Sequence, residues 1–196
     1  MTGQTITNFL LKLFELASMY YGVTWFHEWL KRRKDKKKDN MDMEYDRRNV
    51  IIPILNDIRH QLDSDRVLET VFSNGDVTFS GYHMKKLSII SEVHIEGLAD
   101  ISHHFQLIPT KKFDRTLSEL YDSSDDYLIS DETTLDDELS DLKKLFGLNY
   151  TLMVMIRDKF GRWVGNITVC FNEPRELSSS EIAFVKAQAS RIGSLK

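Results

Sequence analysis

The chain has 196 residues, 41% hydrophobic and 29% charged, with a formal net charge of −4. That length suits one domain of about 150 residues with a real core and a short segment in front, and the composition excludes both a disordered chain and a multi-span membrane protein. The charge is unevenly placed: residues 1–40 carry +4 and residues 41–196 carry −8, so the folded part lacks the basic surface that nucleic acid requires. The single cysteine, Cys170, excludes an intrachain disulfide and a Cys-based zinc site, and in its strand-like setting it reads as a small buried hydrophobe.

Residues 9–30 form an apolar run that a helix would stretch to about 33 Å, enough to cross a bilayer core. Its greasy side chains, Phe9, Leu10, Leu13, Phe14, Leu16, Trp25, Phe26 and Trp29, are the candidate anchor. Lys12 and Glu15 lie within two turns of the start, where Lys12 can snorkel, and Tyr20, Tyr21, Trp25 and Trp29 suit an interfacial belt. The N-terminus lacks the basic residue and the small-x-small site of a signal peptide. A single span, an in-plane amphipathic anchor and a core helix all remain open. Seven cations follow at once, Lys31, Arg32, Arg33, Lys34, Lys36, Lys37 and Lys38. They would attract anionic headgroups at about 1 kcal/mol each near the surface. If the helix spans, they keep this end in the cytoplasm.

From residue 46 the pattern is that of an α+β domain. Arg47 to Leu62 reads as a helix with Val50, Ile51, Ile54, Leu55, Ile58 and Leu62 on one face, and Pro53 predicts a kink or a start near residue 52. Asp65 to Phe72 alternates as a strand, and Asn74-Gly75 is a strong hairpin signal. A strand over 86–95 follows, then a mostly helical stretch over 99–121 broken at Pro109, a short strand at Tyr127, and an amphipathic helix over 135–146. Two β-rich runs flanking Asp158…Gly161 make a terminal hairpin. Ser178 and Glu181 form a capping box before a helix whose stripe is Ile182, Val185, Ala189 and Ile192. Five or six antiparallel strands with helices gathered on one face result.

No pattern of chemistry emerges. The six histidines lack metal-ligand spacing; His103 and His104, adjacent on a helix, would point apart. Neither a phosphate loop nor a nucleophile elbow is present, so no catalytic residue, metal or cofactor is assigned and the chain reads as a non-enzyme. Residues 114–141 hold 11 Asp/Glu against one basic residue, Arg115. The run is either solvated surface or an acidic patch for a basic partner, centred on Asp125, Asp126, Asp131, Glu132, Asp136, Asp137 and Glu138.

The order of elements resembles a GAF-type sensory domain over residues 47–195. The resemblance rests on Asp65-Arg66-Val67 leading to Phe72-Ser-Asn-Gly75 and Ser80-Gly81. It continues in Asp158…Gly161-Arg-x-x-Gly165 and in Leu177-Ser-x-x-Glu181-Ile182. It implies a GAF-like fold and a pocket between the sheet and residues 99–146, with Phe72, Phe79, Tyr82, Phe105, Tyr127 and Phe146 as candidate lining. A narrower stretch, Gly165 to Val169, Leu177-Ser178 and Ala187 to Ile192, is similar to the C-terminal end of the T-even phage holin family. That similarity implies a lysis-timing protein of the host inner membrane that oligomerises and whose soluble domain an antiholin contacts. The first expectation is therefore a holin-like protein with an anchor over 1–30, a basic linker over 31–45 and a GAF-like domain over 46–196. The second is a membrane-tethered sensory or protein-docking module in the cytoplasm.

Overall fold

A computed structural model of the chain describes residues 25, 26, 28, 29, 31, 47–77, 83–130, 146 and 149–195. The chain divides into two units, Met1–Asp46 and Arg47–Lys196. In the first, the described residues are helical, and Trp25, Phe26 and Trp29 are exposed, with the rings of Phe26 and Trp29 stacked at 5.8 Å. Among the described residues no helix is long and apolar enough to cross a membrane. Phe9, Leu10, Leu13, Phe14, Leu16, Arg32, Arg33, Lys34, Lys36, Lys37 and Lys38 lie outside the described residues, and Lys31 is exposed.

In the second unit the helices are α1 (47–62), α2 (Asp114–Asp122) and α3 (Ser179–Ser194). The strands are β1 (Arg66–Val77), β2 (His83–His94), β3 (Ile108–Pro109), β4 (Tyr127–Ser130), β5 (Tyr150–Arg157) and β6 (Trp163–Phe171). They pair antiparallel in the order β3-β2-β1-β6-β5-β4. Alternation along each strand gives the sheet two apolar faces. Val67, Leu152, Val154, Ile156, Ile167 and Val169 point to one face, where Ile51, Ile54, Leu55 and Ile58 of α1 and Val185, Ala189 and Ile192 of α3 cover them. Each fully buried Val or Ile contributes about 1.5–3 kcal/mol over its exposed state.

Helices on one face only, as the sequence predicts, is corrected by the second face. There Leu68, Leu87, Ile89 and Cys170 pack against Ile101, Phe105 and Phe113, while Leu120 of α2 covers Met153 and Met155. This explains why β5 is buried along nearly its whole length. A strand covered on both sides reads as a continuous apolar run.

Three local expectations also change. Asn74-Gly75 is not the hairpin turn: β1 runs on to Val77, and the register shift between Asn74 and Val77 absorbs these residues as an irregularity in the ladder. Residues 99–113 are not helical beyond two 3-10 turns, Ser102–His104 and Thr110–Phe113, with β3 between them. Pro109 sits on this edge strand, where its missing N–H costs no ladder bond. Pro53 lies inside α1 rather than at its start, and Val50 is 42% exposed rather than part of the buried stripe.

The terminal hairpin and its packing helix match expectation. Asp158 Oδ1 accepts from the N–H groups of Phe160 and Arg162, each at 2.9 Å, and Oδ2 accepts from Arg162 Nε at 2.7 Å. Ser178 and Glu181 form the capping box of α3. Both carboxylates titrate below their ordinary range. For Asp158 burial pushes upward, but Arg162 and the two backbone donors outweigh it; for Glu181 the Ser178 hydroxyl and N–H dominate, with Arg175 assisting. In the unfolded chain such groups gain protons at about pH 4. Their contribution is therefore complete above that pH and is lost as acid takes the folded groups through their lower values. Urea midpoints should hold between pH 7 and 5 and fall from pH 4 to 3. Asp158→Asn should flatten that fall, and an unchanged slope would separate this turn from acid sensitivity.

Candidate functional site

The second face of the sheet carries a partly open cavity of ≈ 80 Å³. Its floor comes from four strands: Leu68 and Thr70 of β1, Leu87 and Ile89 of β2, Thr151 and Met153 of β5, and Asn166 and Thr168 of β6. Ile101, Phe105, Phe113, Thr116 and Leu117 form the roof. Thr70, Thr151 and Thr168 occupy floor positions where the larger Ile would reduce the cavity. No charged side chain among the described residues lines it.

Specific hydrogen bonds hold the roof. Glu92 Oε2 accepts from the N–H groups of Ile101 at 3.0 Å and Ser102 at 2.9 Å. Arg66, 2% exposed and ion-paired with Glu92, donates to the Ala99 carbonyl at 2.8 Å. Gln106 Nε2 donates to the carbonyls of Ile89 and Ser102 at 2.7 Å each, and the Leu107 N–H donates to Ser88 Oγ at 2.8 Å. Residues 99–107, without α-helix, are thus fastened to β1 and β2 by polar contacts that periodicity cannot register. On the floor, Asn166 Nδ2 donates to Thr168 Oγ1 at 3.0 Å, while its Oδ1 is buried without a hydrogen-bond partner. The hydroxyls of Ser130 and Thr151 pair at 2.7 Å.

Of the aromatic lining expected from sequence, two of the four described residues lie at or behind the cavity. Phe105 lines the cavity and Phe146 packs behind it. Phe72 lies beside Trp163, edge to face at 4.8 Å, in an open groove of ≈ 720 Å³ that also takes Tyr121, Lys85 and Arg162. Tyr127 packs on the first face, with α1 and α3, and Phe79 and Tyr82 lie outside the described residues. For Tyr127 the reason is register, since one strand position moves a side chain to the opposite face; Phe72 stays on the second face, beyond the end of the cavity.

Of the acidic patch, Asp125 is exposed, while Asp126 is engaged by Arg157, whose terminal nitrogen lies 2.7 Å from its Oδ1. That hydrogen bond, ahead of the opposing effect of burial, holds the Asp126 carboxyl below its ordinary range. Asp131, Glu132, Asp136, Asp137 and Glu138 lie outside the described residues. His103 and His104 do not point apart; their rings approach to 3.9 Å in a 3-10 turn. Glu92, His94 and Asp100 bring possible ligand atoms within 4.8 Å of one another. Glu92, however, already serves Arg66 and two backbone N–H groups, and a cation there would face a buried guanidinium. The cluster serves the roof.

No family model matches the chain, and no curated protein matches it. Its fold does match solved structures. The blue-light absorbing form of a PixJ GAF domain from Thermosynechococcus elongatus is 19% identical, with a TM-score of 0.56 over 77% of this chain and 84% of that one. A GAF domain from Synechocystis, in its photoproduct state, is 21% identical with a TM-score of 0.56, over 76% and 91% of the two chains. A phycoerythrobilin-bound GAF domain from a cyanobacterial phytochrome is 15% identical with a TM-score of 0.59, over 81% and 89%. Residues 47–195 therefore have the α+β fold of GAF domains: a six-stranded antiparallel sheet among the described residues, with helices on both faces.

Proposed function

We propose that the folded unit is a sensory module that binds a small molecule in the cavity on the second face of its sheet. The observation that carries this reading is the largely apolar cavity on the second face, beneath a roof whose 99–107 segment is held to the sheet by hydrogen bonds. Such a roof can settle differently over a filled cavity than over an empty one. The bilin of the pigment-bound neighbour does not fit here, because ligands of drug size take about 300–1,000 Å³ and this cavity measures ≈ 80 Å³. The module acts through binding rather than through chemistry. The N-terminal unit ties it to anionic lipid through Trp25, Phe26, Trp29 and the cations from Lys31 onward, a tether supported by the sequence and tested by flotation of the full chain with liposomes.

The similarity to holins comes second. Its residues in β6 and α3, among them Gly165, Ile167, Val169, Ala189 and Ile192, have packing roles that account for their identity without lysis. The sensory reading is tested by a thermal-shift screen of the full chain against a metabolite library. A compound at about a hundredfold its Kd adds about 2.7 kcal/mol, a gain of roughly 5–10 °C for a domain of this size. The gain should vanish in Thr168→Ile, which reduces the cavity without adding charge. A screen in which nothing raises the melting temperature would remove the reading.

A further inference from the structure

The wall of the cavity restricts what can occupy it. Of the thirteen described residues that line it, eight are apolar, four are threonines and one is Asn166; none is charged. Several of the polar groups are already engaged within the protein. Thr151 Oγ1 pairs with Ser130 Oγ at 2.7 Å, Thr168 Oγ1 accepts from Asn166 Nδ2 at 3.0 Å, and Asn166 Oδ1 has essentially no surface within reach of water. A guest that brought its own polar groups would give up hydrogen bonds to water and find few replacements. Each neutral group left unpaired weakens binding by about five- to 150-fold, and a charge by more. An apolar guest gains instead, by about fourfold in affinity for each CH₂ it takes out of water.

Size points to one small ring. The ≈ 80 Å³ is of the order of an engineered apolar cavity of about 150 Å³ that accepts benzene. Phe105 and Phe113 in the roof and Met153 in the floor are the side chains that an aromatic ring meets favourably, edge to face or through sulfur. We infer that the cavity takes an uncharged, apolar molecule of about one ring, held by burial and dispersion rather than by a hydrogen bond to the wall. Ile101 and Phe105 feel its arrival, because both line the cavity and both belong to the 99–107 segment that hydrogen bonds fasten to the sheet. The inference rests on the sensory reading and deepens it by naming the class of ligand.

The test is an NMR titration of the ¹⁵N-labelled full chain with toluene, phenol and benzoate, single rings that differ in polarity and charge. Toluene should saturate and shift the amides of Ile101 and Phe105. Phenol should bind at least about fivefold more weakly, and benzoate should leave the spectrum unchanged. Thr70→Val, which removes a wall hydroxyl and keeps its shape, should retain toluene binding or strengthen it. Thr168→Ile should abolish the shifts; if that variant does not fold, Thr70→Ile at the neighbouring floor position serves. Phenol binding as tightly as toluene, binding of benzoate, or toluene shifts that survive in the Ile variant overturn the inference. So does a charged or strongly polar hit from the metabolite screen whose binding Thr168→Ile abolishes, and in that case the sensory reading stands. If toluene does not bind, the inference falls; if the metabolite screen is also blank, the sensory reading falls with it.

Discussion

Gly165→Ala is expected to destabilise the folded unit by about 3–5 kcal/mol, near the upper end for single substitutions. Gly165 lies in β6 opposite Val71 of β1 and Ile156 of β5, flanked by strands on both sides. A Cβ there would sit 2.1 Å from the Thr70 carbonyl oxygen and 3.1 Å from Val71 Cα. These are backbone atoms of a central strand, which cannot turn aside as a side chain would. The two strands must separate, at the cost of ladder bonds next to Asn166, so the cavity floor shifts as well. Gly193→Ala meets the same obstacle at the other face, with its Cβ 2.0 Å from the Arg157 carbonyl oxygen, and would lift α3 from β5. Urea unfolding followed by circular dichroism measures both. A loss below about 1 kcal/mol, the ordinary cost of a substitution, would mean that the strands yield more easily than this packing implies.

Removing Glu92 should have an effect of similar size for an electrostatic reason. Arg66 and Glu92 have side chains 2% and 3% exposed, so Glu92→Leu leaves a guanidinium buried without its counter-charge. Breaking one side of such a pair costs about 3–5 kcal/mol, whereas replacing both by apolar residues is often close to neutral. Arg66→Met combined with Glu92→Leu should therefore recover much of the loss. The recovery will be incomplete, because the N–H groups of Ile101 and Ser102 also lose their acceptor. Hydrogen exchange separates the two contributions: residues 99–107 should exchange faster in both the single and the double variant, while global stability returns only in the double. If the double variant is no more stable than Glu92→Leu, the pair does not hold the roof in this way.

What could be read in the chain was what depends on neighbours in sequence. The Asp158 turn, the Ser178–Glu181 capping box and the Val185, Ala189, Ile192 stripe are short-range patterns, and each is present as read. The GAF-like order of elements was legible for the same reason. Less was legible where contacts are distant. Residues 99–113 carry apolar side chains at spacings that suit a helix, but Glu92, Ser88 and Ile89 of β2 supply backbone partners that a helix would otherwise provide. Asn74-Gly75 has the chemistry of a turn, yet ten paired positions between β1 and β2 carry the strand through it.

The cavity lies between the sheet and residues 99–146, as the GAF resemblance implied, with Phe105 in its wall, but its floor belongs to the second group. Asn166, Thr168, Thr70 and Thr151 look unremarkable one at a time, as polar residues in strands, and they meet only because β1, β6 and β5 lie side by side in register. By itself the sequence determined the length, hand-off and local shape of most of the described elements after residue 113, since propensity, capping and turn chemistry act over a few residues. Only the tertiary structure decided that both faces of the sheet are covered and that a cavity remains beneath residues 99–107, because burial and hydrogen-bond satisfaction are properties of strands brought together from far apart in the chain.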